Sequence, residues 1–137
     1  MGQAMVTQKS NIPALRFPEF KGEWKAIILD NLGQIITGST PDTSKDFFYG
    51  GDKMFVSPVD IGEARYINNT KTKLTDIGFF EGRFVPKGSS LFVCIGSTIG
   101  KVAQTNRDCV TNQQINAIVP NEDNVFDFVY SLDLLQK

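Results

Sequence analysis

Residues 90–103 of the chain read SLFVCIGSTIGKVA, and this stretch decides the predicted fold. Its first part, Ser90–Ile95, is apolar on both faces of an extended chain, which predicts a strand at the centre of a sheet. Gly96 ends that strand, and Ile99–Gln104 predicts the next one. The stretch therefore predicts a hairpin of two core strands joined by a glycine turn.

The rest of the chain is a series of short apolar segments separated by glycine, proline and polar residues. These segments predict further strands over Lys53–Ser57, Arg65–Asn68, Cys109–Asn112 and Gln114–Val119, and turns at residues 50–52 and 86–89. Strands do not alternate with long helices, which argues against a parallel doubly wound sheet. The pattern predicts an α+β, β-rich fold.

Three helices are predicted. A short one lies around Asp30–Gly33, capped by Asp30, and another lies over Asp76–Phe80, capped by Thr75. Residues 125–135 carry apolar side chains at helical spacing, which predicts an amphipathic helix at the C-terminal end.

The length of 137 residues suits one domain. Residues 1–12 are polar and aperiodic, which predicts a flexible leader and a single domain over 13–137. Phe17, Phe20 and Trp24 are expected to anchor the segment after the leader to the core. No apolar run approaches the roughly 20 residues needed to span a bilayer. The polar N-terminus does not resemble a secretory signal, so we expect a soluble cytoplasmic protein.

The absence of histidine excludes several kinds of active site. It removes Ser-His-Asp and Cys-His catalysis and histidine-ligated metals. Two cysteines, Cys94 and Cys109, cannot supply the four thiolates of an all-cysteine zinc site. Cys94 lies in an apolar strand, so we expect a buried, inert thiol; a Cys94 thiol enzyme is the less favoured alternative. No catalytic residue, metal or cofactor is predicted.

The net charge of -1 conceals an uneven distribution. Residues 1–52 carry a net charge of -1, residues 53–107 carry +4 and residues 108–137 carry -4. A basic middle segment could face an anionic partner, although a solvated surface explains the same charges.

Two polar loops next to the apolar strands are candidates for a binding site. Gly96–Lys101 follows a strand as a phosphate-binding loop does, but only three residues separate its glycines and Val102 stands where a magnesium-binding Ser or Thr would be. A strand is predicted after it, so no helix terminus would face a phosphate. Thr111–Gln114 is a run of hydrogen-bonding side chains that could read base edges, or could form an ordinary polar turn.

A series of motifs, in order along the chain, resembles a known family. The motifs are LRFPEFKGEW at 15–24, IITGSTP at 35–41, YGGD at 49–52, FVSPVDI at 55–61, VPKGS at 85–89, GSTIGKVA at 96–103 and TNQQ at 111–114. Each motif alone is weak, but the ordered set, covering about residues 13–136, resembles a target recognition domain of the specificity subunit of type I restriction–modification systems.

The resemblance implies a fold and a function. The fold would be a β-rich, double-β-helix-like body with a helical C-terminal part. The function would be non-catalytic: reading one half of a bipartite site in double-stranded DNA for partner methyltransferase and endonuclease subunits. A complete subunit carries two such domains separated by long helices, so we expect a truncated domain here. Its unpaired sheet edge would favour self-association.

We expect this domain to read DNA directly through its polar loops. The residues expected to approach base edges are Ser39, Thr40, Ser97, Thr98, Asn112, Gln113 and Gln114, and those expected to contact phosphates are Lys53, Lys71, Lys73 and Lys101. The alternative is a β-rich protein-binding module without DNA binding, in which the basic residues would be scattered rather than gathered on one face.

Overall fold

The computed structural model describes residues 12–19, 21–24, 26, 28–121 and 126–135, in which two β-sheets pack face to face. The strands are β1 (Gly33–Thr37), β2 (Tyr49–Val56), β3 (Tyr66–Ile67), β4 (Thr72–Leu74), β5 (Ser90–Val93), β6 (Val102–Thr105), β7 (Cys109–Thr111) and β8 (Ile115–Pro120). The α-helices are α1 (Asp76–Glu81) and α2 (Phe126–Leu135), and single 3-10 turns lie at Leu29–Asn31, Asp46–Phe48 and Pro58–Asp60. The α+β, strand-rich class predicted from the sequence is confirmed.

The larger sheet has five strands in the order β1-β8-β5-β6-β3. All its neighbours are antiparallel except β3 and β6, which are parallel. The predicted hairpin is present as β5 and β6, and β5 is the central strand, as its apolar faces indicate. Leu91 pairs with Ala103 on one side and with Ala117 on the other, so these three side chains share the inner face of the sheet.

The smaller sheet has three strands in the order β4-β2-β7, with β2 antiparallel to β4 and parallel to β7. The predicted turn at residues 50–52 is wrong, because these residues lie within β2. The prediction detected a real irregularity, however: the register against β4 shifts between Tyr49 and Lys53. Gly51 is required at this point, since a Cβ there would lie 2.4 Å from the carbonyl oxygen of Leu74.

The main core lies between the two sheets. The smaller sheet contributes Met54, Val56 and Cys109, and the larger sheet contributes Ile67, Leu91, Val93, Ala103, Ile115 and Ala117, with Ile61 and Val85 from connections. A second cluster of Phe55, Leu74 and Val110 covers the outer face of the smaller sheet, where Phe79 of α1 packs against it. Both clusters consist mainly of strand residues, and the polar loops lie at the ends of the strands.

Each α-helix covers the outer face of one sheet. Thr75 caps α1 as predicted, because its Oγ1 accepts a hydrogen bond from the Gly78 backbone at 3.2 Å. Helix α2 packs on β5, β6 and β8. There Asp127 Oδ1 accepts hydrogen bonds from Arg65 Nη2 at 2.6 Å and from Gln104 Nε2 at 3.3 Å. The predicted C-terminal helix is confirmed over the described residues.

Several local predictions need correction. The helix around Asp30 is a single 3-10 turn, and β6 begins at Val102 rather than Ile99, so residues 99–101 belong to the turn. Cys109 is the fully buried thiol, whereas Cys94 lies just past β5 and is half-buried. Phe17 and Trp24, expected in the core, are exposed.

Some predictions concern parts of the chain that the structure does not cover. Phe20 and the leader, apart from Ile12, lie outside the described residues. Within the described ranges, no helix is long and apolar enough to cross a membrane.

Candidate functional site

Four connections meet at one end of the two sheets, which we call the loop end. They are Gly38–Pro41 after β1, Ser57–Asp60 after β2, Cys94–Lys101 between β5 and β6, and Asn112–Gln114 between β7 and β8. They meet because β1 and β5 run antiparallel to β8, and β2 runs parallel to β7, so these strands end or begin on the same side. The sheet topology therefore gathers both predicted polar loops on one surface.

Gly38 allows the first and last of these connections to touch. Its backbone N–H donates to the Ile115 carbonyl at 3.1 Å, and the next N–H, that of Ser39, donates to the Thr111 carbonyl at 2.9 Å. A Cβ at position 38 would lie 2.1 Å from the Asn112 carbonyl oxygen. The close approach thus needs glycine, and it fixes the position of Ser39 beside the β7–β8 turn.

The amide side chains of this turn are partly used in holding it together. Asn112 Oδ1 accepts from the Gln114 backbone N–H at 3.0 Å, and Asn112 Nδ2 donates to Gln114 Oε1 at 3.2 Å. Thr40 Oγ1 donates to Gln113 Oε1, which joins the β1 connection to the turn. Asn112 is therefore mainly a turn-forming residue, whereas the exposed Gln113 extends outward from a fixed base.

An open cleft of about 450 Å³ lies at the loop end. Its lining residues are Ser57, Pro58, Val59, Ser97, Thr98, Lys101 and Gln114. Four of the predicted contact residues thus line one cavity, which brings hydroxyl, ammonium and amide groups close together. Within the described ranges the recorded ion pairs, Lys53–Asp76 and Arg65–Asp127, do not involve the cleft lysine.

The turn that carries three of these residues is rigidly built. The Val93 N–H donates to the Lys101 carbonyl at 2.9 Å and the Gly100 N–H donates back to Val93 at 3.0 Å, which closes the hairpin. Gly96 and Gly100 have φ angles of 104° and 97°, a left-handed conformation that side chains disfavour. Strand β6 follows the turn, as predicted, whereas a helix follows the turn of a nucleotide-binding loop.

The two predicted contact lysines of the smaller sheet, Lys53 and Lys73, do not lie on the same face. Lys53 pairs with Leu74, and Lys73 pairs with Met54, so the two lysine side chains leave opposite faces of the sheet. Lys53 Nζ lies 3.8 Å from Asp76 Oδ1. The structure thus does not gather Lys53 and Lys73 on one surface.

Lys71 lies closer to the cleft. Its backbone N–H donates to Asp60 Oδ1 at 3.0 Å, which ties it to the connection after β2. The other oxygen of Asp60 accepts from the Ser57 backbone N–H at 2.9 Å and from the Ser57 hydroxyl at 3.2 Å. Asp60 therefore holds both the cleft residue Ser57 and the Lys71 backbone in place.

Sequence reasoning assigned no contact role to Ser57–Val59, although these residues line the cleft. They form a local turn, in which Ser57 and Asp60 make a capping box around Pro58. The S-P-x-D spacing signals such a turn. Only the parallel pairing of β2 with β7 shows that the turn belongs to the loop end, because the Asn112 N–H donates to the Val56 carbonyl at 2.9 Å.

The pKa shifts in the described residues do not indicate a catalytic group. Hydrogen bonds from Ser44 lower the pKa of Asp42, and burial raises the pKa of Tyr49, whose hydroxyl donates to the Pro41 carbonyl. Burial raises the pKa of Cys109 to about 12, so its thiol stays protonated. The structurally described part of the chain holds no cluster of three potential metal ligands. A separate cavity of about 500 Å³ contains none of the predicted contact residues; it is lined by Pro13, Leu15, Arg16, Phe17, Lys21, Gly22, Glu23 and Trp24.

Residues 21–137 match the family described as the type I restriction modification DNA specificity domain, and the chain belongs to that family. Over 109 residues, 78% of this chain and 24% of the relative, it is 36% identical to the type I restriction enzyme HindI specificity subunit of Haemophilus influenzae. Over 114 residues, 80% of this chain and 26% of the relative, it is 30% identical to the MjaIX specificity subunit of Methanocaldococcus jannaschii. The chain thus spans about a quarter of the length of these relatives.

Solved structures support the same fold. The HsdS subunit from Thermoanaerobacter tengcongensis superposes with a TM-score of 0.64 at 18% identity, over 93% of this chain and 30% of that one. A chain from a structural study of complex assembly and conformational transition in a type I R-M system gives the same TM-score and identity, over 92% of this chain and 30% of its own length. These likenesses confirm the strand-rich fold.

Proposed function

We propose that this chain is a non-catalytic DNA-reading domain of a type I restriction–modification system. It reads one half of a bipartite site in double-stranded DNA and directs methyltransferase and endonuclease subunits to that site. One observation carries the proposal: in a chain of this family, the loop end gathers Ser97, Thr98, Lys101 and Gln114 in one cleft. Phosphate contacts would fix register, and base-edge contacts would supply specificity.

The contact residues differ in how well the geometry supports them. Base reading is assigned to Ser39, Thr40, Ser97, Thr98, Asn112, Gln113 and Gln114, all of which lie on connections of the loop end. Lys101 in the cleft and Lys71 beside Asp60 are the best-supported phosphate contacts. Lys53 and Lys73 leave opposite faces of their sheet, so only one of them would face the DNA bound at the loop end.

The remaining parts of the proposal concern the larger assembly. The domain would work as one unit over residues 13–137, preceded by a flexible leader, with a double-β-helix-like body. Strand β1 lies at the outer side of the described five-stranded sheet and exposes Gln34 and Ile35. An outer strand of this kind supports self-association by edge pairing.

The test is a gel-shift titration of the chain together with a cognate methyltransferase subunit, on duplexes selected from a random library. The salt dependence of the dissociation constant is measured for the wild type and for Lys101→Ala. Losing one phosphate contact should weaken binding to every sequence and reduce the log–log salt slope by about 0.9. Lys87→Ala is the matched control, because Lys87 precedes β5 and so lies at the opposite end of that strand from the cleft.

Gln113→Ala tests the base-reading part of the proposal. It should cost about 1–3 kcal/mol on the selected sequence and relax the preference at one position. A Lys101→Ala variant that changed sequence preference while keeping the salt slope would contradict the assigned roles. A complex that retains no more DNA than the methyltransferase subunit alone would instead favour the protein-binding alternative.

A further inference from the structure

Three exposed apolar side chains lie on the connections that form the polar cleft. Ile99 is 66% exposed, Val59 is 61% exposed and Ile95 is 59% exposed. Val59 lines the cleft directly, and the other two flank the cleft residues Ser97 and Thr98 in the same turn. The loop end therefore combines hydrogen-bonding groups with three large aliphatic side chains that the fold leaves in solvent.

The fold holds these side chains out of the core by defined contacts. Ile95 follows the end of β5, where the Cys94 N–H donates to the Gln114 carbonyl at 2.8 Å, and its own carbonyl accepts from Gln114 Nε2 at 3.4 Å. Ile99 lies between the left-handed Gly96 and Gly100 in the closed hairpin turn. The side chains are thus presented on hydrogen-bonded turns, which keeps the entropy cost of a contact small.

Duplex DNA offers one apolar group that matches such a position. In the major groove only thymine carries a methyl group, and aliphatic side chains contact it, while Asn and Gln amides pair with the adenine edge. The cleft lysine and the +4 charge of residues 53–107 favour an anionic partner over an apolar protein surface.

We propose that Ile99, supported by Ile95 and Val59, forms a subsite for the thymine 5-methyl group, so that this domain reads an A·T pair by methyl contact as well as by amide hydrogen bonds. This inference rests on the proposed DNA-reading function. It assigns specificity to aliphatic residues, and it predicts that removing the thymine methyl and shortening Ile99 have the same effect.

The experiment is a double-mutant cycle between protein and DNA. The chain is mixed with its methyltransferase subunit, a preferred duplex is selected, and each thymine is replaced singly by uracil, which removes only the methyl group. One replacement should weaken wild-type binding about fourfold, the equivalent of one buried methyl group. Ile99→Ala should bind both duplexes equally, since the methyl contact is then already lost.

Ile77→Ala is the matched control, because Ile77 is 59% exposed on α1, outside the loop end. It should keep the fourfold preference for thymine. Ile99→Thr keeps the β-branch and should show an intermediate preference for thymine over uracil. This milder variant provides a second measurement in case Ile99→Ala fails to fold.

The outcomes separate this inference from the function on which it rests. Selective binding in which Ile99→Ala keeps the wild-type thymine preference overturns the methyl subsite alone. A preferred site without a required A·T pair overturns it as well. Absence of DNA retention beyond the methyltransferase subunit overturns the proposed function and the subsite together.

Discussion

Replacing Gly38 by alanine should destabilise the protein through the contact that builds the loop end. The added Cβ would lie 2.1 Å from the Asn112 carbonyl oxygen and 2.3 Å from that of Thr111. Since carbon and oxygen atoms pack at about 3.5 Å, the β1 connection and the β7–β8 turn must separate by more than 1 Å. The hydrogen bonds that join them, of 2.9 and 3.1 Å, would then be lost.

The expected magnitude follows from these contacts. Two backbone hydrogen bonds contribute about 1 kcal/mol each, and forcing the backbone apart adds up to about 2 kcal/mol. The free energy of unfolding should therefore fall by about 2–4 kcal/mol, which lowers the midpoint temperature by about 8–16 °C for a domain of this size. Circular dichroism during heating and urea titration, with an unchanged m-value, measures the change.

Gly62→Ala is the matched control, because a Cβ at Gly62 would meet no atom within 4 Å and its backbone is not left-handed. Its unfolding free energy should stay within about 0.5 kcal/mol of the wild type. If Gly38→Ala melted within a degree of Gly62→Ala, the close approach of the two connections would not exist in solution. The reasoning about the loop end would then be wrong.

Three further predictions concern other parts of the fold. Asp127→Ala should lower the unfolding free energy by about 1 kcal/mol in urea titration, because Arg65 loses its ion pair and a buried amide loses a partner; an unchanged midpoint would mean that α2 is held by apolar packing alone. Native Cys94 should react with iodoacetamide faster than Cys109, whose burial is complete, and mass spectrometry identifies the labelled peptide; equal rates would contradict the assigned burial. Burial raises the pKa of Cys109 from 9.0 to about 12, so the thiol ionises in the unfolded chain at lower pH than in the folded one. The unfolding free energy should therefore fall as pH rises from 9 towards 12. Cys109→Ala should reduce this slope.

The local elements were predictable where neighbouring residues decide them. The run Ser90–Ile95 indicated a central strand because both of its faces are apolar, and Thr75 indicated a helix start because its hydroxyl can cap the first turn. Gly50 and Gly51 misled the reasoning, since glycine marks both turns and irregular strands. Here Gly51 serves the close approach of β2 to Leu74, a contact with a residue more than twenty positions away.

The candidate site was predictable as separate pieces but not as an arrangement. Polar loops at residues 97–101 and 112–114 stand out because polar side chains interrupt apolar strands. Their meeting with Ser57 depends on the parallel pairing of β2 with β7, which no local pattern reports. The orientations of the lysines could not be predicted either, because the opposite orientations of Lys53 and Lys73 follow from strand register rather than from residue type.

The sequence by itself determined the class of fold, the positions of most strands and helices, and the resemblance to specificity domains, because apolar periodicity and turn chemistry act over a few residues. Strand order, register and the gathering of four connections into one cleft were decided only by the tertiary structure, because these depend on hydrogen bonds and packing between distant segments. The aliphatic residues at the cleft illustrate the difference. In the sequence Ile99 belongs to an apolar strand, and only the closed glycine turn places it in solvent beside Ser97, Thr98 and Lys101.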